Sequence, residues 1–264
     1  MSLTLVRQQL ADSPSTDSGP PPDAPPERAL DRSGIPERML TPLYEAVYAR
    51  LGVGPGTRLL GLGCRGGLAL GLAASRGALV SGVDAEAAHE RAAAEGAAPA
   101  VRVACGGPDS VAGDGPFTVV TAFHPLGGAE DAAAVLRAAA GLAERGGAVV
   151  LGGWGPAERC AAAGVLGAAR RTAGSGAWRP SRRDDLEELA ERAGLRLDGS
   201  GRVACPFGYP DLASAVCGLL SMGADDGGRE PLDEGLRAAL RPYLRADGSV
   251  WLPNVFRYLI ARTP

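Results

Sequence analysis

Between residues 57 and 151, five short apolar runs alternate with segments of helical pattern. The runs are 57–62, 78–83, 101–104, 117–123 and 148–151. The fourth is apolar nearly throughout, as a parallel strand covered on both faces must be. Alternation of this kind predicts an α/β sandwich with a mostly parallel sheet and helices on both faces. The chain of 264 residues has enough material for such a core.

The helical segments are 36–51, 66–76, an alanine-rich and charged stretch ending near Glu95, and 129–144. Leu40, Leu43, Val47 and Leu51 share a face in the first, and Gly52-Val53-Gly54-Pro55-Gly56 ends it. In 129–144, Val135, Leu136, Ala139, Leu142 and Ala143 line one face before Gly146-Gly147. The second half adds helices at 157–172, 183–193, 209–221 and 232–244, and strands at 195–205 and 252–261. Ser181 and Asp184 are spaced as a capping box. The expected fold is a Rossmann-like, doubly wound, seven-stranded sheet over residues 35–264, with a helical insertion or lid at 206–249. Residues 1–34 are polar and proline-rich, cannot bury enough apolar surface to offset their ordering entropy, and read as a disordered tail.

Composition narrows the chemistry. Lysine is absent, so all 27 basic residues are arginine; asparagine occurs only as Asn254. Depletion of residues with AT-rich codons points to a GC-rich gene. It also excludes Schiff-base lysines, P-loop lysines and a lysine general base. Five cysteines without C-x-x-C spacing and two histidines do not make a zinc site. Scattered thiols without a secretory leader, and no run long enough to span a membrane, give a cytoplasmic expectation. The net charge of −3 argues against a general nucleic-acid binder.

The first strand runs into Gly61-Leu62-Gly63-Cys64-Arg65-Gly66-Gly67, and the second stops at Asp84. A strand–glycine turn–helix unit offers backbone N–H groups and a helix N-terminus to an anionic ligand. An acid after the next strand can hold ribose hydroxyls, or simply cap the following helix. Gly61, Gly63 and Gly66 also fit the G-x-G-x-x-G dinucleotide fingerprint, with Asp84 18 residues further on. An NAD-dependent oxidoreductase is therefore one reading.

A larger set of segments resembles the class I S-adenosylmethionine-dependent methyltransferase family, in its bacterial small-molecule branch. Val53–Gly67 is similar to the family's lead-in and first motif, D-x-G-x-G-x-G, and Val80–Asp84 to its second-strand motif. Phe117–His124 resembles its fourth strand, and Leu142–Leu151 its L-x-P-G-G junction. Asn254–Arg262 resembles its closing strand, so the resemblance covers about residues 38–262. It implies S-adenosylmethionine as cofactor, a small-molecule acceptor, and cofactor contacts from Gly61, Leu62, Gly63, Arg65, Gly67, Asp84, Ala85, Asp109, Ser110 and Phe123. His124 follows the fourth strand and becomes the candidate general base. Trp154, Tyr44 and Tyr209 become candidate walls of the acceptor pocket. Four positions depart from the family pattern: Gly61 stands for the acid that faces the cofactor's ammonium, Arg65 for the middle glycine, Gly106 for an acid near the adenine, and Thr118 for the common aspartate of the fourth strand. A protein of this fold that no longer transfers methyl groups, and serves in binding or in other metabolite chemistry, is the alternative. Cys64 reads as a packed side chain and His89 as a surface one.

Overall fold

The computed structural model describes residues 37–85, 101–124, 132–172, 184–223 and 229–264. The tail at 1–34, the helix ending near Glu95, His89 and Ser181 lie outside the described residues.

Among the described residues seven strands form one sheet, in the order β3-β2-β1-β4-β5-β9-β6. They are β1 (Arg58–Leu62), β2 (Leu79–Asp84), β3 (Val101–Cys105), β4 (Phe117–Ala122), β5 (Ala143–Trp154), β6 (Arg196–Ala204) and β9 (Val255–Arg262). The first five are mutually parallel, and β9 runs antiparallel between β5 and β6. The seven-stranded, mostly parallel expectation holds. The reversed strand β9 is what an all-parallel dinucleotide-binding sheet lacks.

The sheet separates two apolar layers, and alternate residues of each strand serve opposite sides. Leu59, Val119, Val150 and Ile260 face α1 (Thr41–Leu51), α2 (Leu68–Ser75) and α4 (Ala161–Thr172). Leu60, Val120, Val149 and Leu259 face α3 (Ala132–Gly141) and α5 (Asp185–Arg192). The expected insertion carries α6 (Leu212–Gly223) and α7 (Arg229–Leu240), and its first strand, β7 (Phe207–Tyr209), pairs with β8 (Val250–Leu252) just past its expected end at residue 249. Its apolar residues, among them Val216, Leu219, Leu232 and Leu236, join the first layer. Gly235 of α7 lies against the Ala169 backbone of α4, where a Cβ would come within 2.9 Å of a carbonyl oxygen.

Two of the strands differ from the sequence expectation. Ala143 already pairs with Phe117, and after an irregular stretch with Gly146 left-handed (φ 72°) the ladder resumes at Ala148 opposite Val119, so β5 begins at Ala143 rather than residue 148. The closing segment is two strands, because Pro253 has no N–H to give a ladder and Asn254 turns inward. The insertion holds a strand, β7, as well as helices.

Asn254, 2% exposed, joins these pieces. Its Oδ1 accepts from the Ala162 N–H at 2.9 Å, in the first turn of α4, and its Nδ2 donates to the Leu252 carbonyl at 3.1 Å. Truncation leaves a buried donor and a buried acceptor without partners. Asn254→Ala is expected to lower stability by about 2–3 kcal/mol in urea denaturation. A loss below about 0.5 kcal/mol would contradict this role.

Candidate cofactor and acceptor site

The site lies at the carboxyl ends of β1, β2 and β4, where ligands of open α/β sheets bind. Two surface hollows, of about 290 and 440 Å3, lie at the opposite edge, around Arg58–Ser81–Arg102 and around Thr57–Thr118–Arg262. They are remote from the glycine turn.

The turn from β1 into α2 is left-handed at Gly63 (φ 60°), Arg65 (φ 47°) and Gly67 (φ 78°). Arg65 is the one non-glycine residue with positive φ among the described residues. It takes a backbone shape that glycine adopts freely, at a cost of roughly 1–2 kcal/mol.

Two carboxylates hold this turn. Asp84, 6% exposed at the end of β2, accepts from the Arg65 N–H at 2.9 Å. Glu37, 5% exposed in the helical turn before α1, accepts from the Gly66 N–H at 3.1 Å and the Leu68 N–H at 2.9 Å. Burial pushes the Glu37 carboxyl above the ordinary range, against the opposing pull of those N–H groups and of Arg65. A Cβ on Gly66 would come within 2.7 Å of the Glu37 Oε2, so glycine there lets the carboxylate reach the backbone.

The donors expected to be open to an anionic ligand are thus engaged by the protein's own acids. Sequence reasoning named Asp84 and missed Glu37, an isolated acid with no motif spacing around it. Its only signal is its place one helical turn ahead of Leu40, on a segment whose apolar face docks beside the turn.

Gly61 pairs with Gly82 of β2. A Cβ on Gly61 would meet Leu70 Cδ2 at 2.7 Å, and one on Gly82 would meet Leu70 Cδ1 at 2.5 Å. Leu70 of α2 therefore occupies the space that an acid at position 61 would need. Leu62 faces the far layer with its side chain. Cys64 is buried and its thiol is pushed up to about 12, which keeps it protonated and inert.

At the edge of β3, Gly106 N–H donates to the Asp84 carbonyl at 2.8 Å. Asp109 and Ser110 are exposed in the 3-10 segment Pro108–Asp114, and Ala85 is exposed just past Asp84.

Phe123 is buried against Tyr44 and Tyr48 of α1, at ring-centroid distances of 4.8 and 5.9 Å. A Cβ on Gly152 would meet the Phe123 backbone at 2.7 Å, so β5 passes directly beneath it. The half-buried His124 has its Nε2 3.1 Å from the Tyr44 hydroxyl. Burial and the nearby Glu37 charge hold that phenol protonated.

Trp154, at the end of β5, stacks on Phe256 at 4.6 Å and lies 6.1 Å from Phe207. Tyr209 shares a face of β7 with Phe207, and its hydroxyl is buried without a partner among the described residues. The structure brings Tyr44, Phe123 and His124 into one group and Trp154, Phe207 and Phe256 into another. Both groups belong to the same apolar layer, in which Cys205 lies against the Leu43 backbone.

No family sequence model matches the chain, and no curated protein matches it significantly. Solved structures do. A [4+2]-cyclase, SpnF, is 20% identical with a TM-score of 0.54, over 84% of this chain and 80% of that one. The YcgJ protein of Bacillus subtilis is 17% identical with a TM-score of 0.56, over 83% and 97%. Magnesium protoporphyrin IX methyltransferase from Synechocystis PCC 6803, with bound SAH, is 15% identical with a TM-score of 0.51, over 90% and 84%. The strand order, the reversed β9 and these similarities establish the class I methyltransferase fold.

The packing over Gly61 gives a direct test. Gly61→Asp forces Leu70 aside and buries a charge, and is expected to lower stability by about 2–3 kcal/mol. Arg65→Gly relieves a left-handed arginine and should leave stability equal or up to about 1 kcal/mol higher. Urea denaturation of both variants checks this; a Gly61→Asp protein as stable as the parent would refute the packing argument.

Proposed function

We propose that the chain transfers a methyl group from S-adenosylmethionine to a small-molecule acceptor. The observation that carries this reading is the acidic closure of the glycine turn by Asp84 and Glu37. A dinucleotide's pyrophosphate needs the N–H groups that these carboxylates already occupy, and would meet two negative charges. A sulfonium and an ammonium are favoured by the same charges. The site chemistry therefore suits the methyl donor and disfavours NAD.

In this reading Asp84 binds ribose hydroxyls, and Asp109 and Ser110 lie on the adenine side. The backbone of Gly61 to Gly67 and Ala85 lines the cofactor, with Phe123 beside it. When bound, S-adenosylmethionine supplies an electrophilic methyl group on a sulfonium. The protein's part is to position the acceptor, exclude water and take a proton if the acceptor carries one. His124 is the proton acceptor, oriented by the Tyr44 hydroxyl. Trp154, Tyr44 and Tyr209 are the side chains assigned to the acceptor side, of which Trp154 is the one partly exposed.

The similarity to a protein described as a [4+2]-cyclase supports a second reading, in which a protein of this fold serves other metabolite chemistry or binding, with weak or no use of the cofactor.

Calorimetric titration with S-adenosylhomocysteine and with NAD separates the first reading from a dehydrogenase. Micromolar binding of the former and none of the latter at millimolar concentration is expected; the reverse order would sink the proposal. With turnover of an acceptor measured, His124→Ala should lower kcat by about 10²- to 10⁴-fold and leave S-adenosylhomocysteine affinity within twofold. Unchanged turnover would remove the base role.

A further inference from the structure

The Gly61 position leaves a question of charge. In the reading above, the cofactor's amino-acid arm carries an ammonium, yet Leu70 occupies the space an acid at the end of β1 would need. Glu37 puts a carboxylate on the same turn from another part of the chain. We propose that Glu37 receives the ammonium of the cofactor's amino-acid arm and, with Arg65, makes this end of the site selective for a zwitterion. The inference rests on the methyl-donor reading of the site.

Three observations support it. A carboxylate has about four acceptor positions. The Gly66 and Leu68 N–H groups take one on each oxygen and the Ala69 N–H also bears on the carboxylate, which leaves one position for a further donor. The carboxylate is almost fully buried, and its surroundings are Tyr44, Tyr48 and Cys64, each feeling its negative charge. A buried anion in such company gains from a second cation. Arg65 is the cation within its electrostatic reach, half-buried on the turn itself. An arm entering amine-first toward Glu37 leaves its own carboxylate for the Arg65 guanidinium. The opposite entry would set the arm's carboxylate against Glu37, whose oxygens already hold the N–H groups an anion would seek.

The test is calorimetric, on the full chain. Wild-type protein is titrated with S-adenosylhomocysteine, its desamino analogue, and 5′-methylthioadenosine, which lacks the arm. Glu37→Gln is titrated with the first and third. Removing the ligand's amine should weaken wild-type binding about tenfold or more, as expected for a hydrogen bond to a charged group. Glu37→Gln should weaken S-adenosylhomocysteine by a similar factor and leave 5′-methylthioadenosine within twofold, which also verifies an intact adenosine site. Equal wild-type affinity for the amine and desamino ligands would overturn the proposal. So would a Glu37→Gln protein that binds S-adenosylhomocysteine equally well or more tightly, because Glu37 would then be a competitor for the turn. The wild-type ligand comparison decides the matter even where the variant fails to fold. Wild-type protein that binds none of the three would instead overturn the methyl-donor reading, and this inference with it.

Discussion

Three N–H groups of one glycine turn are hydrogen-bonded by two carboxylates, Glu37 from before α1 and Asp84 from the end of β2. This closure ties the first helix to the sheet. With Glu37 on the turn, Tyr44 and Tyr48, about two and three helical turns further along, pack against Phe123. Tyr48 also donates to the Ala69 carbonyl at 2.9 Å, and Tyr44 reaches His124. The turn, the first helix and the end of β4 thus form one packed unit, and the candidate base sits on its margin. The same closure sets the electrostatic sign of the site. A turn that in isolation attracts anions becomes acidic once its donors are satisfied internally.

The departures at positions 61 and 65 have different physical meanings. Gly61 belongs to a packing arrangement: with Gly82 beside it on the neighbouring strand, it admits Leu70 to the centre of the turn. Leu70 is 1% exposed there. Restoring an acid at 61 alone would disturb that contact. Arg65 keeps the φ of a glycine and adds a long cationic side chain. Loss of an acid at one position and gain of a cation at another look like decay of a motif in sequence. In three dimensions they accompany a carboxylate arriving from elsewhere.

The strands β1 to β4 were legible because each holds a short apolar run, and β5 and β9 because they have enough apolar residues to be seen despite their boundaries. Asp84 was legible for the same reason: it ends such a run at the expected distance from the turn. The start of β5 was not, since Gly146-Gly147 is equally a helix stop and an irregular strand. Three-residue strands such as β7 and β8 carry too little period to register. Glu37 was illegible for a deeper reason. Its role depends on where α1 docks, and no local pattern encodes that. Asn254, the one asparagine in the chain, stood out by rarity, but its link to Ala162 exists only after α4 has packed.

The central claim is that the glycine turn remains closed by the protein's own acids when the site is filled. A crystal structure of the complex with S-adenosylhomocysteine examines that most directly. Glu37 should stay bonded to the Gly66 and Leu68 N–H groups, with the ligand's ammonium beside it and Asp84 on the ribose. A Glu37 side chain swung out of the turn, with the ligand's carboxylate on those N–H groups in its place, would contradict the account.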